Sequence, residues 1–312
     1  MTTLTSCPRI LVPIALETAM VTSSTVAEPA VGETAWVSAA TYVAGDRRIR
    51  STTHKMYECI AEHTGITTLP EDDPNRWVAI KPTQKWAMFD TSVSTQTTAT
   101  TTLSVVITPG FFNTFKFYGF SGGTLDWTYK DAPAGTVMDS GTVSLIGPYD
   151  DEYDWMWGPY RTKDKLTISN LIPYATAELS ITLSASSGTT VGIGMMAIGD
   201  ERPLFIGDWG GTQYGAEANP VDFSYIALDQ FGAATIVKRH SATDLTLSAA
   251  MPASSASYAL KVIQEVLAVP AAFRATTVDG YDYLDVFGLA SASLRAEGPS
   301  HATMQIKVKG LT

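Results

Sequence analysis

Residues 149–160 set Asp150, Asp151, Glu152 and Asp154 among Tyr149, Tyr153, Trp155, Trp157 and Tyr160. Carboxylates beside rings are what a sugar site uses: the rings stack on pyranose faces while the acids accept hydrogen bonds from hydroxyls. Asp151, Asp154, Trp155 and Trp157 are the residues of this cluster that could do such work. Glycoside hydrolysis would further need two carboxyls held ~5 to 9.5 Å apart across a cleft, with Asp151 and Asp154 the nearest to a pair, but neighbours in sequence do not set that separation. The same stretch also reads as a solvated loop whose rings cover a sandwich edge or a subunit contact. It lacks the alternating oxygen ligands and the glycine of an EF-hand calcium loop.

Elsewhere the chemistry-bearing residues are sparse. Four histidines, His54, His63, His240 and His301, follow no metal-binding repeat, and Cys59 between the first two has no second cysteine nearby to suggest zinc. There is no Gly-x-Ser-x-Gly elbow. The glycines from Gly192 to Gly199 miss dinucleotide spacing, and the Gly-rich loop 207–215 has no P-loop lysine. We expect no catalytic set, no metal and no cofactor, and the chain is not read as an enzyme.

The elements that must position these residues are mostly strands. In 312 residues, 17% are charged while Thr, Ser, Gly and Val recur throughout, a composition that favours β structure with tight turns. Residues 103–107, 114–120, 124–129, 142–146, 165–168, 177–183 and 191–198 are short strand candidates separated by turn signals, with Leu125, Trp127 and Tyr129 on one face. They predict an antiparallel β-sandwich or jelly roll over 83–200. Residues 201–312 predict an α+β domain. Its helix spans 254–268, with Ser254 or Ser255 as cap, a stripe of Leu260, Ile263 and Leu267, and Pro270 past its end. Its strands lie at 234–238, 245–247, 285–289 and 304–308. Residues 1–33 predict an arm carrying one strand, around 10–16, packed on a neighbouring domain or subunit, and a linker.

Residues 34–82 form a separate unit. Trp36, Tyr42, Tyr57 and Trp77 are spread through a segment poor in aliphatic residues, so they are the available filling for a very small core. Ala44-Gly45-Asp46 reads as a turn between strands at 40–43 and 55–60, and 69–74 as a surface loop. The order Trp36, Tyr42, Gly45, Asp46, Tyr57, Thr64, Pro70, Trp77 resembles the small chitin-binding type of carbohydrate-binding module. That resemblance implies that some of these aromatics form the core while others make a sugar platform, a division the sequence leaves open. Arg47, Arg48 and Arg50 depart from the family's mostly apolar continuation, so a carbohydrate is implied without specifying chitin.

The same module type occurs in bacteriophage tail proteins. The continuation Lys81 to Asp90, ending in Trp86-Ala87-Met88-Phe89-Asp90 before a Thr-rich β region, is similar to tail components of distal-tail, hub, baseplate or fibre type. The resemblance implies a homo-oligomer in the virion tail, assembled in the bacterial cytoplasm, with other tail proteins and a host cell-surface glycan as partners. A polysaccharide-active enzyme, a secreted lectin, or a structural virion protein whose module docks another protein are the alternatives.

Charge and hydropathy fit that setting. The formal charge of −10, from 21 basic and 31 acidic residues, speaks against a protein that coats nucleic acid. Pro13 and Glu17 interrupt the apolar run 10–16, so no secretion signal is expected, and no stretch reaches the ~18 to 20 apolar residues of a membrane span. Cys7 and Cys59 allow one bridge at most, and free, buried thiols are the reading preferred over it.

Overall fold

The computed structural model describes residues 6–147, 151–158, 163–207, 209–228 and 234–311. Tyr149, Asp150, Pro159, Tyr160 and Asp208 lie outside these residues, as do the side chains of Asp154 and Trp155. The chain is mainly β and its named strand pairs are antiparallel. It opens with β1 (Arg9–Pro13) and β2 (Val21–Ser24), then enters the small unit with β3 (Arg47–Arg50), β4 (Lys55–Cys59) and β5 (Trp77–Pro82). The central region holds β6 (Thr97–Thr100), β7 (Thr102–Ile107), β8 (Thr114–Ser121), β9 (Thr124–Lys130), β10 (Val137–Ser144), a short helix α1 (Glu152–Trp157), β11 (Lys165–Ile168), β12 (Glu178–Ser184) and β13 (Thr190–Pro203). Beyond it come β14 (Gly211–Thr212), β15 (Glu217–Asp222), β16 (Tyr225–Leu228), β17 (Ala234–Val237), β18 (Ser241–Pro252), α2 (Ala256–Glu265), β19 (Ala271–Arg274), β20 (Asp285–Ala296) and β21 (His301–Gly310).

Alternation in the sequence builds the first core. Leu125, Trp127 and Tyr129 on β9, Leu179, Ile181 and Leu183 on β12, and Leu103, Val105 and Ile107 on β7 all face inward from a five-stranded sheet in the order β10-β9-β12-β7-β2. They meet Phe115 and Phe117 of β8 and Ile193, Met196 and Ile198 of β13, giving the expected two-layer sandwich. Each buried Leu or Ile contributes about 1.5–3 kcal/mol over the exposed state.

The second layer does not stop with the sandwich. The larger sheet runs β11-β8-β13-β1-β19-β20-β21-β18-β14, with β6 on β13 and β15 on β18. The expected boundary at 200/201 therefore falls inside β13, whose far end pairs with β1 from Arg9↔Pro203 to Pro13↔Gly199. On its other edge β1 pairs with β19. The N-terminal arm docks as a central strand, joining the two halves of one sheet.

Helix α2 packs on the C-terminal half through Ala259, Val262 and Ile263, with Val266 just beyond its end. This corrects the expected stripe: Leu260 and Leu267 are exposed, at 42% and 49%. Both stripes share Ile263, but 259-262-263-266 keeps helical spacing with small and β-branched residues that let the helix lie close to the sheet. Ser255 is the N-cap residue by position, yet its hydroxyl donates to the carbonyl of Ile206 rather than to a helix N–H.

In the small unit the strand order is β3-β4-β5. The strand expected at 40–43 is reduced to one bridge, Tyr42 to His63, and the regular strand is the Arg-rich β3 that follows the turn. The turn itself forms as read: Gly45 has φ +94° and Asp46 Oδ2 accepts from the Val43 N–H at 3.1 Å.

Candidate functional site

The small unit settles which of its aromatics are filling. Tyr42, Tyr57 and Trp77 are 3%, 5% and 3% exposed and form one cluster with Cys59, against which Trp36 and Ala40 pack. Tyr42 and Trp77 meet edge to face at 5.0 Å, and His63 closes on both at 5.5 and 5.4 Å. The Tyr42 hydroxyl donates to the Val37 carbonyl at 2.9 Å and accepts the Val37 N–H at 2.7 Å, which folds the segment before it over the core. Tyr42, Tyr57 and Trp77 therefore cannot offer ring faces to a sugar, because a core this small has little else to bury. Trp36 is half-buried, with the Arg50 guanidinium 5.4 Å above its ring.

The arginines that set this unit apart are engaged with their own neighbours. Arg50 reaches Glu71 at 3.1 Å, Arg47 donates to Glu58 at 2.8 Å, and Arg48 sits over Tyr42 at 5.2 Å, close to Asp46. Between the β4–β5 face and the 69–74 loop lies a cleft of ≈ 500 Å³. Tyr57 and Trp77 contribute to its lining together with Lys55, Glu71 and Pro74. Two aromatic residues with a cation and a carboxylate at the rim suit a polar, hydroxyl-bearing ligand held by hydrogen bonds more than by stacking.

A buried carboxylate locks this unit to the sandwich. Glu28, in the incoming linker, accepts from His54 Nδ1 at 3.0 Å, from Thr83 Oγ1 at 2.8 Å and from Trp86 Nε1 at 3.2 Å. His54 stacks on Trp86 at 3.9 Å, and its Nε2 lies 2.6 Å from Thr18 Oγ1. Glu33 adds a second tie by accepting the Gln84 N–H at 2.8 Å. Incoming and outgoing linkers are thus held together by charge-assisted bonds.

The acidic and aromatic stretch is partly helical. In α1, Tyr153, Met156 and Trp157 lie at i, i+3, i+4 and all three are strongly exposed, with Asp151 exposed just before them. The proposed pairing of Asp151 with Asp154, and the stacking role of Trp155, lie outside the described side chains.

A charged cluster that the sequence did not announce crosses the larger sheet. Lys116 on β8 is 1% exposed, and its Nζ lies 2.9 Å from Asp285 Oδ2 on β20 and 3.3 Å from Glu201 Oε1 on β13. Tyr118 donates to Asp285 Oδ1 at 2.9 Å, Arg9 of β1 approaches Glu201 at 3.4 Å, and Lys165 donates to the Asp285 carbonyl at 2.7 Å. Burial, reinforced by Asp285, pushes the Tyr118 phenol well above its ordinary value. The charges pair with one another across β8, β13 and β20, so the arrangement acts as a latch between strands. On β8, Phe115 and Phe117 face the sandwich core, and the opposite face carrying Lys116 is covered as well.

Cys7 and Cys59 are free, with Cys59 buried and Cys7 half-buried. Cys59 donates to the Ala61 carbonyl at 3.2 Å, and burial raises its thiol. Among the described residues no group of three or more His, Cys, Asp or Glu is placed to hold a metal ion, and no described helix is long and apolar enough to cross a membrane. No protein-family model matches the chain, and no curated protein matches it as a relative.

Proposed function

We propose that the chain is a structural subunit of a bacteriophage tail, of tail-tip, baseplate or fibre-attachment type, that assembles as a homo-oligomer and displays the 34–82 module toward host-surface glycan. The observation that carries the reading is a unit with its own aromatic core, held to a large β body by the Glu28 lock. That is the construction expected of a module presented rigidly from an assembly. The glycan half is supported by the cleft of Tyr57, Trp77, Lys55 and Glu71. Weak single-site contact becomes useful when several copies engage one surface. The test is mass photometry of the purified chain and of the particle containing it, followed by the oligomer on immobilised host-envelope glycans. A monodisperse monomer absent from any particle would remove the assembly half. An oligomer that binds no envelope glycan, or binds equally with Lys55→Ala, would remove the recognition half.

The burial of Tyr42, Tyr57 and Trp77 favours a second reading in which the module docks another tail protein. Arg47, exposed on the β3 edge, then serves as an interface charge. Loss of tail assembly in Arg47→Glu with glycan binding intact would support this reading over the first.

A further inference from the structure

The Glu28 lock uses only one nitrogen of His54. The other, Nε2, lies 2.6 Å from the hydroxyl of Thr18, an exposed residue that opens the short 3₁₀ turn Thr18–Met20 between β1 and β2. Both oxygens of Glu28 sit 3.0 Å from Nδ1, and Thr83 Oγ1 and Trp86 Nε1 fix the carboxylate in turn. A proton on Nδ1, given to Glu28, leaves Nε2 of the neutral ring as an acceptor, so the Thr18 hydroxyl donates to it. Hydroxyl, imidazole and carboxylate therefore stand in series, each within hydrogen-bond reach of the next. That series is the general signature of an activated oxygen nucleophile: a weak alcohol, a base that takes its proton, and a carboxylate that holds the base in one tautomer. No motif announces it, because Thr18, Glu28 and His54 come from three separate segments.

Two further observations point to a ligand at this place. His54 lines a cleft of ≈ 460 Å³ that also takes in Leu16, Trp86 and Phe89 as apolar surface and the exposed Lys55 and Lys81 as cations. Leu16 is two residues from Thr18, so the cleft and the hydroxyl meet at the same imidazole. His54 is also held at φ +55°, in the left-handed region that a non-glycine residue enters only at a cost. Its ring stacks on Trp86 at 3.9 Å, which fixes the tilt. A fastening between linkers needs neither the strain nor the cleft.

We infer that Thr18, His54 and Glu28 form a nucleophilic triad that cleaves esters of short carboxylic acids, with the acyl group seated in this cleft. The inference is independent of the tail and glycan reading above. Thr18 Oγ1 bonds to the acyl carbon while its proton passes to His54 Nε2. The carbon–oxygen bond to the alcohol then breaks, and His54 returns the proton to the departing alkoxide. Next a water gives a proton to His54 as its oxygen attacks the acyl-threonine, which frees the carboxylic acid and restores the Thr18 hydroxyl. Ester and water go in, acid and alcohol come out, and water is the only co-reactant. A volume of ≈ 460 Å³ has room for a small ester, and Lys55 and Lys81 supply positive charge where negative charge develops. Glu28 touches no substrate and acts as a positioning residue.

The test uses the full-length protein and two probes: p-nitrophenyl acetate, and a fluorophosphonate whose phosphorus bonds to an activated hydroxyl as fluoride leaves. Thr18→Val keeps the side-chain shape and removes the hydroxyl, Thr18→Ser keeps the hydroxyl, and His54→Asn removes the base with a residue that tolerates the left-handed backbone. Unchanged circular dichroism will show that the variants fold. The wild-type chain should carry the fluorophosphonate adduct on Thr18, located by peptide mass spectrometry. Thr18→Val and His54→Asn should lose at least about a hundredfold in ester turnover, while Thr18→Ser retains it. A hydroxyl that only tied two linkers together would stay unlabelled, so the adduct separates a nucleophile from a structural tie. No adduct on Thr18 of the wild-type chain, or ester turnover by Thr18→Val at the wild-type rate, overturns the triad and leaves the Glu28 lock as a purely structural joint.

Discussion

Replacing Lys116 by Met should be among the most damaging single changes in the chain. The side chain volume is nearly kept, so the effect isolates charge. Nζ now holds Asp285 at 2.9 Å and Glu201 at 3.3 Å, and both carboxylates are buried with it. Removing one partner of a buried pair costs about 3–5 kcal/mol because it leaves an uncompensated charge. Here Asp285 keeps the Tyr118 hydroxyl and Glu201 keeps Arg9, so the lower end, ~3 kcal/mol, is expected. With a urea slope of about 3 kcal/mol/M, the midpoint falls by ~1 M. The triple variant Lys116→Met, Glu201→Gln, Asp285→Asn should recover most of this, since the desolvation cost of the two carboxylates disappears together with their cation. Urea titrations followed by circular dichroism measure all three proteins. A loss under about 0.5 kcal/mol in the single variant, or a triple variant no more stable than the single, would refute the claim that Lys116 works by compensating buried charge.

Three further outcomes follow from the geometry. Glu28→Ala removes the acceptor shared by His54, Thr83 and Trp86. It should loosen the 34–82 unit by about 2–4 kcal/mol, read as faster amide exchange at residues 83–86 with little change in the main sheet. Gly199→Ala drives a Cβ into the Val12 carbonyl, so β1 must shift out of register. A loss of ~3 kcal/mol or more, with exchange rising first in β1, is expected, and near-wild-type stability would contradict the close packing of β1 on β13. Burial raises the Cys59 thiol above its ordinary value of 9.0. Its share of stability is therefore full below that value and is lost as pH climbs through the folded value. Alkylation near pH ~8 should be at least about tenfold slower in the folded chain than in urea, and Cys59→Ser should flatten the alkaline loss.

The parts of the fold legible in sequence are those where one face is buried and the other is wet. β9 and β12 alternate strictly, and their inward residues form the sandwich core as expected. β8 alternates too, but Lys116 sits on a face that β20 closes from nearly 170 residues away, and no local pattern reports such a cover. For the same reason no local pattern near residue 200 reports that β13 runs on to Pro203 and pairs with β1. In the small unit the residue types pointed to the right core, whereas the separation of core from platform depended on depth. Trp36 alone of the four stays half-open, and only three-dimensional packing distinguishes it from Trp77. Helix α2 lay where Ser255 and Pro270 bracketed it, but its facing was ambiguous because apolar residues fill two adjacent stripes.

The placement of β1 between β13 and β19 also fixes a schedule for folding during synthesis. Residues 9–13 leave the ribosome before either partner, and those partners end at Pro203 on one edge and Arg274 on the other. At ~5–20 residues per second the later partner follows about 13 to 50 seconds behind. Throughout that interval Ile10-Leu11-Val12 is an apolar strand with two open edges, and the halves of the sheet it will join have no bridge. The small unit, whose contacts are local, can close long before. A nascent chain of this protein therefore carries a finished ornament and an unfinished keystone, and the keystone is the segment a chaperone would have to shield.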